Sequence, residues 1–273
     1  MPISPTDFDY IRKLVFERSA IVLETGKEYL VESRMVSLLH REKIDSVETL
    51  VQNLQKNRFN GLADRVVDAL TTNETSFFRD IKPFEILKKE ILPKVIEANR
   101  AKQELNIWCA ASSSGQEPFS IAMVIRENFP KLDTWRINFI ASDISPSMLD
   151  RCRSGVYSQL EVNRGLPALL LVKYFERNGA EWKVKEDLRK MIDFRQINLA
   201  EPLPRLPRMD IVFCRNVLIY FDLETKKKVM QQIRRVMRPG GFLFLGAAET
   251  TLNIDRAFQR ISATQSGCYE LKG

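Results

Sequence analysis

A turn of small residues, Ala110-Ala-Ser-Ser-Ser-Gly115, separates the apolar stretch of Leu105, Ile107 and Trp108 from a helical stripe of Phe119, Ile121, Ala122, Val124 and Ile125. Small residues at such a junction let the backbone approach a ligand closely, and the start of the helix offers unpaired N–H groups. A second apolar run, Ile137 to Ser142, ends in Asp143, 28 positions after Gly115. An acid there could grip ribose hydroxyls, as in doubly wound sheets, or cap a helix starting near Ser145 or Pro146. A third run, Ile211 to Phe213, leads into Arg215 and Asn216, which puts polar groups at the carboxyl end of a buried strand. The chemistry this pattern permits is the binding of a nucleotide-like cofactor. Neither Gly-x-Gly-x-x-Gly nor Gly-x-x-x-x-Gly-Lys-[Ser/Thr] occurs, which disfavours a dinucleotide or a triphosphate.

The elements that must position these residues follow from periodicity. Residues 1–75 lack strands and read as a helical domain. Phe8, Ile11, Leu14 and Val15 form a stripe with Thr6 or Asp7 as cap, and further helices are expected at Tyr29–Arg41, Ser46–Gln55 and Gly61–Thr71. Residues 76–100 form a linker whose charged helix, Ile81–Arg100, has Pro83 near its start and Pro93 placed to kink or divide it. Residues 101–273 form a further domain in which strands and helices alternate through about residue 153, which predicts a parallel sheet. An insertion at about 155–198 interrupts the alternation. In it, Lys173–Arg177, Trp182–Val184 and Met191–Ile197 read as short strands around a turn at Asn178-Gly179. Val236-Met-Arg-Pro-Gly-Gly-Phe reads as a helix end turning into a buried strand. Arg260–Ala263 and Gly267–Leu271 read as a closing antiparallel hairpin.

Composition bounds the class. The 273 residues are 44% hydrophobic and 28% charged, an ordinary globular balance. No apolar span of about 18 residues is present, and Met1-Pro-Ile-Ser-Pro-Thr-Asp lacks the regions of a secretory signal, so a cytoplasmic location is expected. Cys109, Cys152, Cys214 and Cys268 show no metal-ligand spacing, and no metal is expected. The net charge of +7 is uneven: residues 1–75 hold 10 Lys/Arg against 12 Asp/Glu, and the remainder 32 against 23. A basic catalytic half could meet RNA or an acidic protein surface. Without a basic tract interleaved with aromatics, nucleic acid is the less favoured partner.

Together these segments resemble the S-adenosylmethionine-dependent methyltransferase fold and, more narrowly, the chemotaxis receptor methyltransferases of the CheR family, over nearly the whole chain. The resemblance is carried by Thr71-Thr-Asn-Glu-Thr-Ser-Phe-Phe-Arg79, Ser114-Gly-Gln-Glu-Pro118, Ala141-Ser-Asp143 and Cys214-Arg-Asn-Val-Leu-Ile-Tyr-Phe221. Ser112 and Phe119 depart from the cysteine and tyrosine usual in the family. The implied fold is α/β: a Rossmann-like sheet with an N-terminal all-helical domain and a small inserted antiparallel β-subdomain.

The implied activity is methyl transfer from S-adenosylmethionine to glutamate carboxylates of chemotaxis receptors, leaving S-adenosylhomocysteine. An RNA or small-molecule methyltransferase and a non-catalytic cofactor-binding scaffold are the alternatives. The resemblance implies that Asn73, Thr75, Arg79, Ala110, Gly115, Glu117, Asp143, Ile144, Asn198, Leu199, Arg215 and Asn216 line the cofactor site. Within it, Glu117 faces the methionine end, Asp143 the ribose, and Asn198 with Leu199 the adenine. Arg79, Arg215 and Tyr220 are the candidates for orienting the substrate carboxylate. The implied partner is the receptor's cytoplasmic helical bundle, met by a monomer. Arg34 and Arg41, seven apart with Leu38 between them, could contact it or form a solvated stripe. Ser37 and Leu39 leave that helix poor in charge, and the short loop between Glu176 and Trp182 points to a member that needs no receptor-tail tether.

Overall fold

A computed structural model describes residues 3–56, 61–261 and 267–272. The chain divides into two compact units, residues 1–72 with 220–225, and the remainder.

The first unit packs α1 (Pro5–Ser19), α2 (Glu28–Glu42), α3 (Val47–Lys56) and α4 (Leu62–Leu70). Apolar residues three and four apart supply its core: Phe8, Ile11 and Val15 from α1, Val31, Met35 and Leu38 from α2, and Leu62, Val66 and Leu70 from α4. Each such side chain contributes about 1.5–3 kcal/mol when buried. Leu14 is only half-buried. The cap of α1 is Ser4, not Thr6 or Asp7: Pro5 takes the first helical position, and Ser4 Oγ accepts the Asp7 N–H. The segment 220–225 belongs here through Val22 N–H, which donates to the Tyr220 carbonyl at 2.9 Å.

The second unit opens with α5 (Lys82–Ile86), a π turn (Leu87–Ile91) and α6 (Leu92–Ala98). The expected break at Pro93 is resolved by that π turn. Leu92 N–H reaches back five residues to Leu87 O, and Pro93, which has no N–H, falls in the first turn of α6. The strands and helices that follow are β1 (Glu104–Ala110), α7 (Gln116–Asn128), β2 (Arg136–Asp143), α8 (Pro146–Ser154), β3 (Val156–Tyr157), α9 (Gln159–Asn163), α10 (Ala168–Tyr174), β4 (Phe175–Asn178), β5 (Glu181–Val184), α11 (Glu186–Arg189), β6 (Asp193–Gln196), β7 (Met209–Cys214), α12 (Leu223–Val236), β8 (Met237–Leu245), β9 (Phe258–Arg260) and β10 (Cys268–Leu271).

The main sheet has the order β6-β2-β1-β7-β8-β10-β9, parallel except for β10, which runs antiparallel to β8 and β9. Every residue of β7, and all of β1 but Glu104, is buried, as central parallel strands covered on both faces must be. The chain leaves β1 towards β2 on one side and returns as β7 on the other, which opens a crevice at the carboxyl end of β1. Register places Ala110 beside both Ser142 and Cys214, so the tips of β1, β2 and β7 form one edge.

The inserted sheet has the order β3-β5-β4 and is antiparallel. Met191–Ile197, expected among its strands, corrects to the main sheet: β6 pairs in parallel with Ile140–Asp143 of β2. Four half-exposed residues at a sheet edge carry no pattern that separates an edge strand from a hairpin strand. Helices α9 and α10, too short to leave a periodic signature, lie between β3 and β4 in the chain. The hairpin turn falls at Gly179-Ala180, since Asn178 pairs with Glu181. In the closing hairpin, β9 begins at Phe258, while Ser262 and Ala263 lie outside the described residues. No described helix is long and apolar enough to cross a membrane.

Candidate active site

The loop from β1 to α7 turns by alternating left-handed residues, Ala111 (φ 57°), Ser113 (φ 49°) and Gly115 (φ 98°). At Gly115 a Cβ would lie 2.9 Å from Tyr157 Oη and 3.0 Å from Cys152 Sγ, so only glycine fits. Tyr157 Oη donates to Ser114 O at 2.6 Å, and Cys152 Sγ donates to Ser113 O at 3.1 Å. Burial pushes the Tyr157 hydroxyl far above its ordinary value and the Cys152 thiol up to about 12, so both stay neutral donors under the loop. From above, Ser113 Oγ donates to the Asn73 carbonyl at 2.8 Å.

Asp143, at the tip of β2, is 6% exposed. Its Oδ2 accepts Ser113 N–H at 2.8 Å and its Oδ1 accepts Ser145 N–H at 2.9 Å. The cap of α8 is Ser145, whose Oγ accepts Met148 N–H, so the alternative of Asp143 as N-cap does not hold. Ile144, next in the chain, is half-buried.

Glu117 and Arg215 meet in a buried cluster. Arg215 Nη1 donates to Glu117 Oε2 at 2.5 Å, and its Nη2 donates to Asp80 Oδ2 at 2.6 Å and to Arg79 O at 3.2 Å. Glu117 Oε1 accepts the Cys109 thiol at 3.2 Å. Burial, then the neighbouring Glu117 charge, drives that thiol well above its usual range. The Glu117 arm of this set is buried, whereas the Asp80 carboxylate is half-exposed and screened by solvent. Arg215 Nε is buried without a hydrogen-bond partner among the described residues.

The segment supplying Asp80 is strained, with Phe78 (φ 49°), Asp80 (φ 68°) and Ile81 (φ 49°) all left-handed. It is held by Phe78 N–H donating to Ser120 Oγ at 2.9 Å and by Arg215 on Asp80. Arg79 is half-buried, and its Nη1 donates to Glu74 O at 2.8 Å. Thr75 is half-buried on the same approach.

Beyond β6, Asn198 folds its side chain onto its own loop: Oδ1 accepts Ala200 N–H at 3.1 Å, and Nδ2 donates to Glu201 at 3.0 Å. Leu199 is buried there. Asn216 is left-handed (φ 58°) immediately after β7.

Asn73, Thr75, Arg79, Ala110, Gly115, Glu117, Asp143, Ile144, Asn198, Leu199, Arg215 and Asn216 therefore share one unit, while Tyr220, Arg34 and Arg41 belong to the other. Arg34 donates from Nη1 to Leu70 O at 2.6 Å and from Nη2 to Thr72 Oγ1 at 2.9 Å, tying α2 to the end of α4. Arg41 is the exposed member of that pair. Two acids were missed by the sequence reading. Asp80 follows the quoted Phe-Phe-Arg block directly and was one position from notice. Glu249, which accepts N–H groups from the Asn216 turn, is a lone acid past β8 with no pattern around it.

Comparison with known proteins agrees with this geometry. The family model "CheR methyltransferase, SAM binding domain" matches residues 73–266, and "CheR methyltransferase, all-alpha domain" matches residues 6–71. Chemotaxis protein methyltransferase 1 of Pseudomonas aeruginosa is 42% identical, over 100% of both chains. Chemotaxis protein methyltransferase Cher2 of Pseudomonas putida is 40% identical over 97% of this chain and 98% of its own. The chemotaxis protein methyltransferase of Vibrio parahaemolyticus is 40% identical over 99% and 98%. Fold and family match define an S-adenosylmethionine-dependent methyltransferase. More narrowly, the chain belongs to the CheR methyltransferase family.

The donor set suits that cofactor. Buried carboxylates at Glu117 and Asp143 match an ammonium and ribose hydroxyls, and the orphaned Arg215 Nε matches a carboxylate. S-adenosylmethionine supplies a methyl group carried on a sulfonium.

Proposed function

We propose that this protein methylates glutamate side chains of chemotaxis receptors, forming methyl esters on their cytoplasmic helical bundle. The observation that supports it most is the Glu117–Arg215–Asp80 cluster, with Asp143 at the tip of β2, in a chain whose relatives are named chemotaxis protein methyltransferases. A receptor glutamate is ionised near pH 7, so the site needs no general base to activate it. The chain's task is to hold the carboxylate in line and exclude water, and proximity alone contributes about 7–11 kcal/mol in favourable cases. Arg215 already serves two carboxylates, so its role lies on the cofactor side. Arg79 remains in this unit as the group that orients the incoming carboxylate.

Labelled S-adenosylmethionine incubated with receptor cytoplasmic fragments, followed by mild alkali, tests this. Base-labile label released as methanol is the expected result. Label retained after alkali, or found in RNA, would refute it. The two-residue β4–β5 turn supports docking without a tail tether, so a receptor-tail pentapeptide should give no heat in calorimetry. A micromolar dissociation constant would contradict that.

A further inference from the structure

Glu249 is 8% exposed and follows β8 by four residues. Its Oε2 accepts Gly246 N–H at 2.6 Å and Asn216 N–H at 2.8 Å. Its Oε1 accepts Val217 N–H at 2.9 Å, Leu218 N–H at 2.7 Å and Ile219 N–H at 3.4 Å. Four consecutive N–H groups, 216 to 219, thus converge on one carboxylate, and all five donors are backbone. The 3-10 turn they open is three residues long, Leu218–Tyr220. Such a turn has little stability of its own. Its entry residue, Asn216, is held left-handed. A buried charge satisfied this way fixes the conformation of the backbone around it.

The packing leaves no slack. A Cβ at Gly246 would lie 2.7 Å from Glu249 Oε2, 2.8 Å from Asn216 Nδ2 and 2.9 Å from Asn216 N. The end of β8, the acid and the Asn216 turn therefore fit together only with glycine at 246.

We propose that Glu249 is a positioning residue for cofactor binding: its carboxylate clamps the Asn216 turn to the end of β8 and so presents Asn216 in the binding-competent conformation. The inference rests on the reading of Asn216 as a cofactor residue, but not on the identity of the methyl acceptor.

Asp210 provides the control. It is a carboxylate of similar burial on β7, the strand that leads into the Asn216 turn, accepting Asn106 N–H at 2.8 Å, Asn99 Nδ2 at 3.0 Å and Arg238 Nη1 at 3.0 Å. It lies near the start of β7, whereas the Asn216 turn follows the strand's end.

The experiment measures S-adenosylhomocysteine binding by calorimetry for the full chain, Glu249→Gln and Asp210→Asn, at a temperature where circular dichroism shows all three folded. An amide can accept on only one of its two sides, so part of the nest is lost in Glu249→Gln. Loss of one charge-assisted clamp should weaken binding about tenfold or more relative to Asp210→Asn. A smaller ratio overturns the proposal, because it would make Glu249 one buried carboxylate among others. Should Glu249→Gln fail to fold, Glu249→Asp takes its place under the same criterion, since it keeps the charge but draws the carboxylate back by one methylene from the N–H groups of 216 to 219. No receptor enters the assay, so absence of receptor methylation would count against the proposed function and leave this result standing.

Discussion

Asp143 shapes its loop in this structure, and the proposed cofactor would give it a second duty, which sharpens what its removal should do. It pins Ser113 N–H and so shapes the loop after β1, and its position at the tip of β2 suits ribose hydroxyls. Asp143→Ala should therefore weaken S-adenosylhomocysteine binding by about tenfold to a hundredfold, the worth of one or two charge-assisted hydrogen bonds. Calorimetry giving equal affinity for variant and parent would refute the ribose assignment. Arg215 differs in kind, because its fork spans two carboxylates 37 positions apart in sequence, Asp80 and Glu117. A lysine is a point charge and cannot span both. The Asp80 arm is half-exposed and counts for little, whereas the Glu117 arm is buried. Arg215→Lys should cost about 1–3 kcal/mol in urea unfolding, mostly from Glu117. An unchanged midpoint would show that the pair contributes nothing to stability.

Among the elements, the strained Phe78–Ile81 segment depends on what packs beneath it. Phe77 is fully buried in edge contact with Tyr157 (centroids 5.1 Å) and Phe175 (5.6 Å), and Tyr157 in turn meets Phe119 (6.4 Å). These rings connect the inserted sheet, α7 and the approach to Arg79. Phe119 serves in that cluster as a ring alone. Gly165 closes the arrangement: it is left-handed (φ 89°), and a Cβ there would lie 2.1 Å from the Phe77 carbonyl. Gly165→Ala should destabilise the protein by about 2–4 kcal/mol through overlap plus left-handed strain. Thermal melting checks it, and a shift of less than a degree would mean that the loop moves aside freely.

For the whole molecule, the buried thiols set an alkaline limit. Burial raises all four cysteines, Cys152 and Cys268 to about 12 and Cys109 and Cys214 well above their ordinary value. A thiol raised in the folded state holds its proton more tightly there than in the unfolded chain. Its contribution is complete below the unfolded value of about 8.5 and is lost as pH rises towards the folded value. Each group can add a slope of up to about 1.4 kcal/mol per pH unit in that window. The urea midpoint should fall steadily from pH 8.5 upwards, and a flat midpoint to pH 10.5 would contradict the burial of the thiols.

Local pattern alone determined the helical first unit, the parallel core and the presence of polar residues at the tips of β1, β2 and β7. Each of those features repeats within a few residues: three-and-four spacing, unbroken apolar strands, a small-residue turn, and polar groups just past a strand end. The CheR resemblance rested on such blocks, and the family match agrees with it. What local pattern could not convey was pairing at a distance. The transfer of Met191–Ile197 to the main sheet depends on β2 having a free edge, which no property of those seven residues announces. The Arg215–Asp80 bond spans 135 positions and the Glu249 nest about 30. A lone acid has no periodicity, so its role exists only once backbone N–H groups from another segment are brought to face it. Only the tertiary structure decided that Asp143 is not a cap, that Arg34 turns inward, and that one buried carboxylate gathers the turn after β7, because each is a hydrogen bond whose donor and acceptor meet only when the chain has folded.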